Sequence, residues 1–546
     1  MQKNKKKKKT ESFMKGVLVL MVSQVLIKLL GLIYKLYLTN REGFGDEGNA
    51  IYSSGYQIYA LLLTLSSVGV PNAISKLVSE RVAVGDHKGA HRVFKISFAT
   101  FGVIGLIGTL ILFLGAGYIA NVLLQIPEAE LTLVALSPSI FFVSIASVVR
   151  GYFNGRQQLS VTARSQTLEQ VFKTTLTVVV VEIIALMYGV NTKIMAAGAN
   201  LATTLSVFLS FGYLYLYYKK SKKEIAQEVK STVNYKKERI IKIIKSILYV
   251  SIPISLSAIM TSLGKNIDSI TVVRGLKEFM TEADAKIQYG ILSGKVDTLI
   301  TLPLSLNVAF ATALVPTIAA AKAKNDMEIA NKRVSFSMMV TMLIGLPCTF
   351  GMFIFAEPIL NLLFPNATAG AYLLQLSSLT ILFAVLMQTV NGALQGLGKV
   401  MVPAVTAGIG LIAKLILNIV LVPNPDFGVN GAAIASVANV VIAFVMSFYV
   451  LIKNMKLDLK FSNFVAKPIL ATAIMCICSY FVYNVLNGMI AGRIATIIAL
   501  GFAVLIYFIC VIVFKIFSKE EICMIPYGNK LLKVLQTIGI YAKNEE

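Results

Sequence analysis

Long apolar stretches follow one another along the whole chain and are separated by short polar segments. A helix needs about 20 residues to cross the ~30 Å hydrocarbon core of a bilayer, and about fourteen stretches reach that length. Their approximate spans are residues 14–39, 48–70, 93–123, 131–150, 163–189, 194–218, 245–273, 287–317, 334–356, 370–392, 401–422, 430–452, 464–487 and 494–516. The pattern predicts an all-α polytopic membrane protein with about fourteen transmembrane helices.

The polar segments between these stretches alternate in charge. We place about 39 of the 51 Lys and Arg residues on the side of Lys5–Lys9, and about 6 on the opposite side. The connections on that opposite side are short and often acidic. The positive-inside rule then places both termini in the cytoplasm.

The net charge of +24 therefore reflects membrane topology and does not predict a nucleic-acid partner. The longest basic segment, Lys219–Lys245, follows the sixth predicted helix. Two interpretations of this segment stay open. It is a topology signal that contacts anionic membrane lipids, or it is a regulatory or partner-binding loop.

Composition excludes a soluble enzyme, because the mean hydropathy is +0.75 and only 14% of the residues are charged. The sequence has no Walker loop, no HExxH motif and no convincing GxSxG motif. Its five cysteines form no ligand cluster. We expect no cofactor, no metal and no enzymatic activity.

An internal repeat relates the two halves of the chain. The segment GYFNGRQQLSVTA at 151–163 resembles GALQGLGKVMVPA at 392–404, with a constant offset of 241 residues. Further matched positions place Asp86 opposite Asp326 and Gly198 opposite Gly431. The repeated unit contains six helices, so both copies enter the membrane from the same side and form a parallel repeat. Tight packing alone would explain the shared glycines.

The repeat predicts the domain organisation. We expect an N-lobe at 1–218, a basic cytoplasmic linker at 219–244, a C-lobe at 245–455, and two further helices with a cytoplasmic tail at 456–546. In parallel-repeat transporters the substrate binds at the interface of the two halves.

Charged and polar side chains interrupt three of the predicted helices. These are Gln24, Lys28 and Lys35 in the first helix, Lys265 and Asp268 in the seventh, and Lys295, Asp297 and Thr298 in the eighth. A charge at bilayer depth costs several kcal/mol and usually faces a bundle interior or a wet cavity. The alternative is local neutralisation, which the spacing allows for Lys265 with Asp268 and for Glu169 with Lys173.

The lysines exceed the acids in these helices, and this surplus suits an anionic substrate because lysine binds phosphate as a flexible point charge. A drug or cation antiporter would instead need a buried carboxylate in the N-lobe. Only Glu169 and Glu182 could supply one.

Three motifs carry a family resemblance: VGVPNAISKLVSE at 68–80, RGYFNGRQQLSVTA at 150–163 and YGILSGKVDTLITLPLSLNVAFATALVPTIA at 289–319. With them the chain resembles the polysaccharide-biosynthesis branch of the multidrug/oligosaccharidyl-lipid/polysaccharide exporter superfamily, which includes stage V sporulation protein B-like proteins and MurJ-type lipid II flippases. The resemblance implies a fourteen-helix fold in a bacterial plasma membrane and a cationic cavity lined by helices one, two, seven and eight.

The resemblance also implies a flippase for a polyprenyl-pyrophosphate-linked saccharide, with the peptidoglycan precursor lipid II as first candidate. Lys28, Lys35, Lys265 and Lys295 would bind the pyrophosphate, and Gln24, Asp268, Asp297, Thr298 and Glu182 would orient or gate them. The partners would be the lipid-linked oligosaccharide, membrane lipids and cell-wall synthesis proteins. The alternatives are another lipid-linked polysaccharide precursor, a multidrug or cation antiporter, and a non-transporting scaffold for cell-wall or spore-envelope synthesis.

Overall fold

The computed structural model describes residues 26–67, 69–156, 158–232, 235, 238–305, 307, 311, 314, 318, 326–399, 401–524, 532, 535–537 and 541. Every regular element in this part of the chain is helical. The α-helices are α1 at 26–40, α2 Gly45–Ser67, α3 Gly69–Ala83, α4 His87–Tyr118, α5 Ala129–Gly155, α6 Leu159–Tyr188, α7 Thr192–Lys230, α8 Ile240–Leu276, α9 Glu282–Gly290, α10 at 297–305, α11 Met327–Ile354, α12 Ala356–Leu363, α13 Ala371–Gly396, α14 Met401–Leu421, α15 Val429–Asn454, α16 Lys467–Asn487, α17 Gly492–Val513 and α18 Lys519–Met524. Three π-helical segments span Ile119–Leu124, Ile291–Val296 and Ser462–Ala466.

Among the described residues, 11 helical segments are long and apolar enough to cross a membrane. They are Gly45–Val82, His87–Leu124, Ala129–Gly155, Leu159–Tyr188, Thr192–Lys230, Met327–Ile354, Ala371–Gly396, Met401–Leu421, Val429–Asn454, Ser462–Asn487 and Gly492–Val513. Each coincides with one predicted span. The other predicted spans, 14–39, 245–273 and 287–317, contain residues or side chains outside the described part. The count of fourteen therefore stays a prediction.

The chain separates into two compact units. The first contains residues 1–298 and 414–432, and the second contains residues 299–413 and 433–546. This division follows contacts in the folded chain, whereas the lobe boundaries at 218 and 245 remain a prediction from the repeat. Residues 219–230 of the predicted linker continue helix α7.

In the first unit, α5 packs against α2, α3, α4 and α7, and α8 packs against α2 and α3. Two sets of loop contacts mark its opposite ends. At one end Arg41 pairs with Glu182, and the Thr192 hydroxyl donates to the Gly43 carbonyl at 2.8 Å. At the other end, which we call the basic end, Arg81 pairs with Glu238 at the segment between α7 and α8.

In the second unit, α13 and α16 both pack against α11. Asn307 connects α13 to α11. Its amide donates to the Val385 carbonyl of α13 at 2.8 Å, and its oxygen accepts from Thr341 of α11 at 3.0 Å. The Tyr507 hydroxyl donates to the Leu343 carbonyl at 2.9 Å and fixes α17 against α11.

Residues matched by the repeat make equivalent local contacts. Asp86 and Asp326 both cap the helix that follows, through backbone amides at 2.7 and 3.2 Å. A Cβ added to Gly198 or Gly431 would lie within 3 Å of the preceding helix. These glycines therefore permit close helix packing, as the simpler interpretation of the repeat predicts.

Candidate functional site

Lys35 lies in the buried contact between α1 and α2. Its ammonium donates to Asn49 Oδ1 at 2.9 Å and to Ser53 Oγ at 3.3 Å, and it lies 4.6 Å from the centre of the Tyr52 ring. The amide of Asn49 in turn donates to Thr39 Oγ1 at 2.9 Å, which fixes its oxygen toward the lysine. Lys35 is therefore a buried lysine whose hydrogen-bond partners, Asn49 and Ser53, are neutral.

Lys28 lies seven residues before Lys35 on the same helix, which is about 10 Å along the axis. Its side chain is exposed, and its charge is close enough to Lys265 for the two to repel each other. Gln24, which we predicted on the same face, lies outside the described residues.

Lys265 on α8 faces Asp297 at the start of α10, with 3.6 Å between Nζ and Oδ2. The two side chains are 40% and 27% exposed, so solvent reaches both. Lys35 lies within electrostatic range of both residues. Lys28, Lys35, Lys265 and Asp297 thus form one group, which we call the cationic cluster. Its three lysines and one carboxylate leave an excess of positive charge.

Lys295 has a different environment from the one we predicted. Its side chain is fully buried in the π-helical segment, and its ammonium lies 2.9 Å from Asp46 Oδ2 at the start of α2. Gly290 and Gly294 allow this contact, because a Cβ at either position would lie within 2.5 Å of Asp46 or Asn49. Lys295 therefore connects α2 to this helix through a buried ion pair.

Asp268 also differs from its prediction. It accepts from Lys414 at 2.5 Å and from the Asn418 amide at 2.9 Å, and both residues of the ion pair are buried. The spacing allowed an intrahelical pair with Lys265 as an alternative, but Lys265 faces Asp297. Asp268 thus connects α8 to α14. The hydroxyl of Thr298 donates to the Gly294 carbonyl of its own helix at 2.6 Å.

Glu182 lies at the end of the first unit opposite the basic end. Arg41 binds both of its carboxylate oxygens, at 2.9 and 3.0 Å, and the Tyr37 hydroxyl donates to it at 2.5 Å. This arrangement fixes the end of α1 against α6. The other candidate carboxylate of the N-lobe, Glu169, pairs with Arg150 at 2.7 Å.

Our sequence interpretation missed the environment of Lys173. Its ammonium lies 4.3 Å from the centre of the Tyr56 ring and 5.1 Å from that of Tyr34, and it does not form the predicted pair with Glu169. A signal was present, since Tyr52, Tyr56 and Tyr59 share one face of α2. Aromatic faces stabilise a desolvated cation, so Lys173 is a second buried positive charge near Lys35.

A further group of charges lies at the start of α9. Lys286 contacts Glu128 at 2.7 Å and Glu282 at 2.8 Å, and Lys277 contacts Glu282 at 2.7 Å. Hydrogen bonds from Lys277 and Lys286 lower the pKa of Glu282 to about 2. These ion pairs connect the segment before α5 to α9.

Comparison with known sequences shows the family of the chain. The profile of the family described as "Polysaccharide biosynthesis protein" matches residues 13–322, more than half of the chain. The chain belongs to this family. Within residues 294–500 it also matches the profile of the lipid II flippase MurJ. It is 28% identical to stage V sporulation protein B of Bacillus subtilis (strain 168) over 96% of this chain and 99% of that protein. It is 25% identical to the lipid II flippase MurJ of the same organism, over 92% and 95%.

Solved structures show the fold of this member of the polysaccharide biosynthesis family. A lipid II flippase MurJ in an inward closed conformation superposes with a TM-score of 0.68 at 16% identity, over 91% of this chain and 99% of that one. A multidrug transporter of the MATE family in an inward-facing conformation gives a TM-score of 0.65 at 17% identity, over 80% and 99%. The protein is a multi-pass membrane protein with the fold of these two transporters.

Proposed function

We propose that this protein is a flippase that moves a polyprenyl-pyrophosphate-linked saccharide from the inner to the outer leaflet by alternating access. The cationic cluster carries this proposal. Lys28 and Lys265 are accessible, and their mutual repulsion is relieved when an anion binds between them. The buried Lys35 adds positive potential behind them.

Each residue of the cluster has a distinct role in this proposal. Lys28 and Lys265 contact the pyrophosphate. Asp297 holds Lys265 until the phosphate takes the place of the Asp297 carboxylate. Lys295 and Asp268 form part of the framework, because their side chains are buried in ion pairs with Asp46 and Lys414. A cation antiporter is less well supported, since arginines already bind the two candidate N-lobe carboxylates.

Membrane potential supplies a driving force if the basic end faces the cytoplasm. An inside-negative potential favours outward movement of an anion by about 2.3 kcal/mol per charge per 100 mV. Reconstituted flipping should therefore accelerate with an inside-negative potential. An unchanged rate under such a potential would show that voltage does not drive flipping, and the cluster would remain the proposed anion site.

Lipid II is the first candidate for the substrate, because relatives that cover most of the chain include a lipid II flippase. The relative with the higher identity is a sporulation protein. Another lipid-linked polysaccharide precursor is therefore the alternative, and cell-wall synthesis proteins are the partners that this role predicts.

The test measures lipid II exposure on the outer leaflet of cells depleted of their own flippase. We expect the wild-type protein to restore exposure, and Lys28→Ala and Lys265→Ala to reduce it at least about tenfold, because each removes a phosphate contact. Lys193→Ala is the matched control, since it removes an exposed lysine from the start of α7.

Two outcomes would contradict parts of this proposal. If the wild-type protein inserts normally and never restores exposure, another lipid-linked glycan becomes the first candidate. If exposure survives both cluster substitutions, the cluster is not the anion site. A dye-efflux assay on the same cells would distinguish a multidrug antiporter from a lipid flippase.

A further inference from the structure

A groove lies between α3 and the first turns of α8, at the basic end of the first unit. Its volume is about 1010 Å³. Lys76 and Glu80 line it on α3, and Arg239, Ile241, Lys242, Lys245 and Tyr249 line it at the start of α8. We call it the α3–α8 groove. None of its residues belongs to the cationic cluster.

Positive charge dominates this groove. It contains Lys76, Arg239, Lys242 and Lys245 and a single acid, Glu80. All five side chains are exposed, and within the described residues none of the four cations forms an ion pair. The neighbouring Arg81 differs, because Glu238 neutralises it. The groove thus holds three excess positive charges that no described carboxylate balances.

The same groove opens onto an apolar surface. Ile243 and Ile247 of α8 are buried in the core of the unit, whereas Ile241 and Tyr249 are 68% and 83% exposed beside the cations. Ile252, one turn further along α8, is also exposed. Exposed isoleucine and tyrosine on a membrane helix suit contact with acyl chains and the headgroup boundary. A ligand here meets cations at one side and hydrocarbon at the other.

We propose that the α3–α8 groove binds an anionic phospholipid of the leaflet that surrounds the basic end. The phosphodiester would lie among Lys76, Lys242 and Lys245, and the acyl chains would follow Ile241 and Tyr249. Basic pockets between membrane helices bind such headgroups. A soluble phosphate would leave the apolar surface without a partner, and a zwitterionic lipid would leave the excess charge uncompensated.

Lipid in the groove would join two helices that already touch. A Cβ at Gly69 on α3 would lie 2.5 Å from the Ser251 carbonyl of α8, so the two backbones are in close contact just beyond the groove. A lipid bound to Lys76 on α3 and Lys242 on α8 would reinforce this contact. The site is independent of flipping, and its test does not require transport.

The test titrates the purified full-length protein in detergent with phosphatidylglycerol or phosphatidylcholine, and counts bound lipids by native mass spectrometry. We expect saturable binding of phosphatidylglycerol and much weaker binding of phosphatidylcholine. The triple variant Lys76→Ala, Lys242→Ala and Lys245→Ala should weaken phosphatidylglycerol binding by about 100-fold. The matched control removes the same charge from the exposed residues Lys219, Lys220 and Lys223 of α7, and it should bind like the wild type.

A second variant keeps the test decisive if the triple variant does not fold. Glu80→Gln removes the acid that lines the groove among the described residues and should tighten phosphatidylglycerol binding about fivefold. Unchanged affinity in this variant would overturn the proposal. Equal loss of phosphatidylglycerol affinity in the groove triple variant and the control triple variant would indicate binding by diffuse surface charge. Equal binding of phosphatidylglycerol and phosphatidylcholine would indicate that the groove binds lipid through its apolar surface. Displacement of phosphatidylglycerol by a polyprenyl pyrophosphate would assign the groove to the transported lipid instead.

Discussion

Buried and half-buried charges in the first unit form two groups that differ in their partners. Asp268 with Lys414 and Lys295 with Asp46 are close ion pairs, so their charges are compensated inside the protein. Lys35 has neutral hydrogen-bond partners. A buried pair contributes to structure only while both partners remain, whereas a surplus cation attracts an external anion.

Asp268→Asn tests the structural role of the first pair. The amide keeps the shape of the side chain and leaves the buried Lys414 without its carboxylate, so we expect a loss of about 3–5 kcal/mol in the free energy of unfolding. The double variant Asp268→Asn with Lys414→Met should recover much of this loss. Denaturant unfolding in detergent measures both, with the exposed Asp426→Asn as control. A single variant as stable as the control would show that the pair is dispensable.

Glu282 predicts a pH dependence at the start of α9. Its pKa is lowered from 4.5 to about 2 by Lys277 and Lys286, so its ion pairs stabilise the fold above pH 4.5 and are lost as the pH falls toward 2. Glu282→Gln should lower the Tm at neutral pH, by a modest amount because the side chain is 43% exposed. The difference in Tm between wild type and variant should vanish with acidification. A constant difference would contradict the ion-pair origin.

The sequence predicts which residues are unusual better than it predicts their partners. Lys28 and Lys265 stand out because a charge inside an apolar helix is costly. The partner of Asp268 lies 146 residues away, and helical spacing reports only neighbours within one or two turns. Lys295 was identified as an unusual buried charge, but its burial depends on close packing by glycines that a hydrophobic pattern does not reveal.

Helix positions are more predictable than side-chain partners, because the bilayer requires a minimum apolar length. Eleven described segments coincide with predicted spans. The π-helical segments and the continuation of α7 to Lys230 were not predicted, since both depend on hydrogen bonding and packing after the helix has formed.

Close contact between α2 and α9 predicts the effect of a single methyl group. Gly290→Ala would place its Cβ 1.8 Å from the Asp46 carbonyl oxygen, so α2 must shift and the Lys295–Asp46 pair must lengthen. We expect a loss of about 1–3 kcal/mol in unfolding free energy. Gly351→Ala is the matched control, since nothing lies within 4 Å of its added Cβ and helix propensity favours alanine. Equal stability of the two variants would show that α2 can move freely.

At the scale of the whole molecule, alternate loops at opposite ends of the first unit predict a membrane orientation. Glu42 lies between α1 and α2, and Val84 lies after α3 at the basic end; both are exposed. In a background without the native cysteines, Glu42→Cys should react with a membrane-impermeant maleimide in intact cells. Val84→Cys should react only after permeabilisation. The reverse pattern would invert the orientation and, with it, the direction in which voltage favours an anion.

The π-helical segment Ile291–Val296 has a consequence for comparison among relatives. A π turn holds more residues than the α-helical turn it replaces, so deletion of one residue restores α-helical register. The helices on either side then keep the same faces toward the protein, because the π turn had absorbed the extra residue. The loss is confined to residues 291–296, and removal of Lys295 itself would leave Asp46 without its cation. Relatives that differ in length by one residue here can therefore share every helix face and still differ in whether this buried ion pair exists.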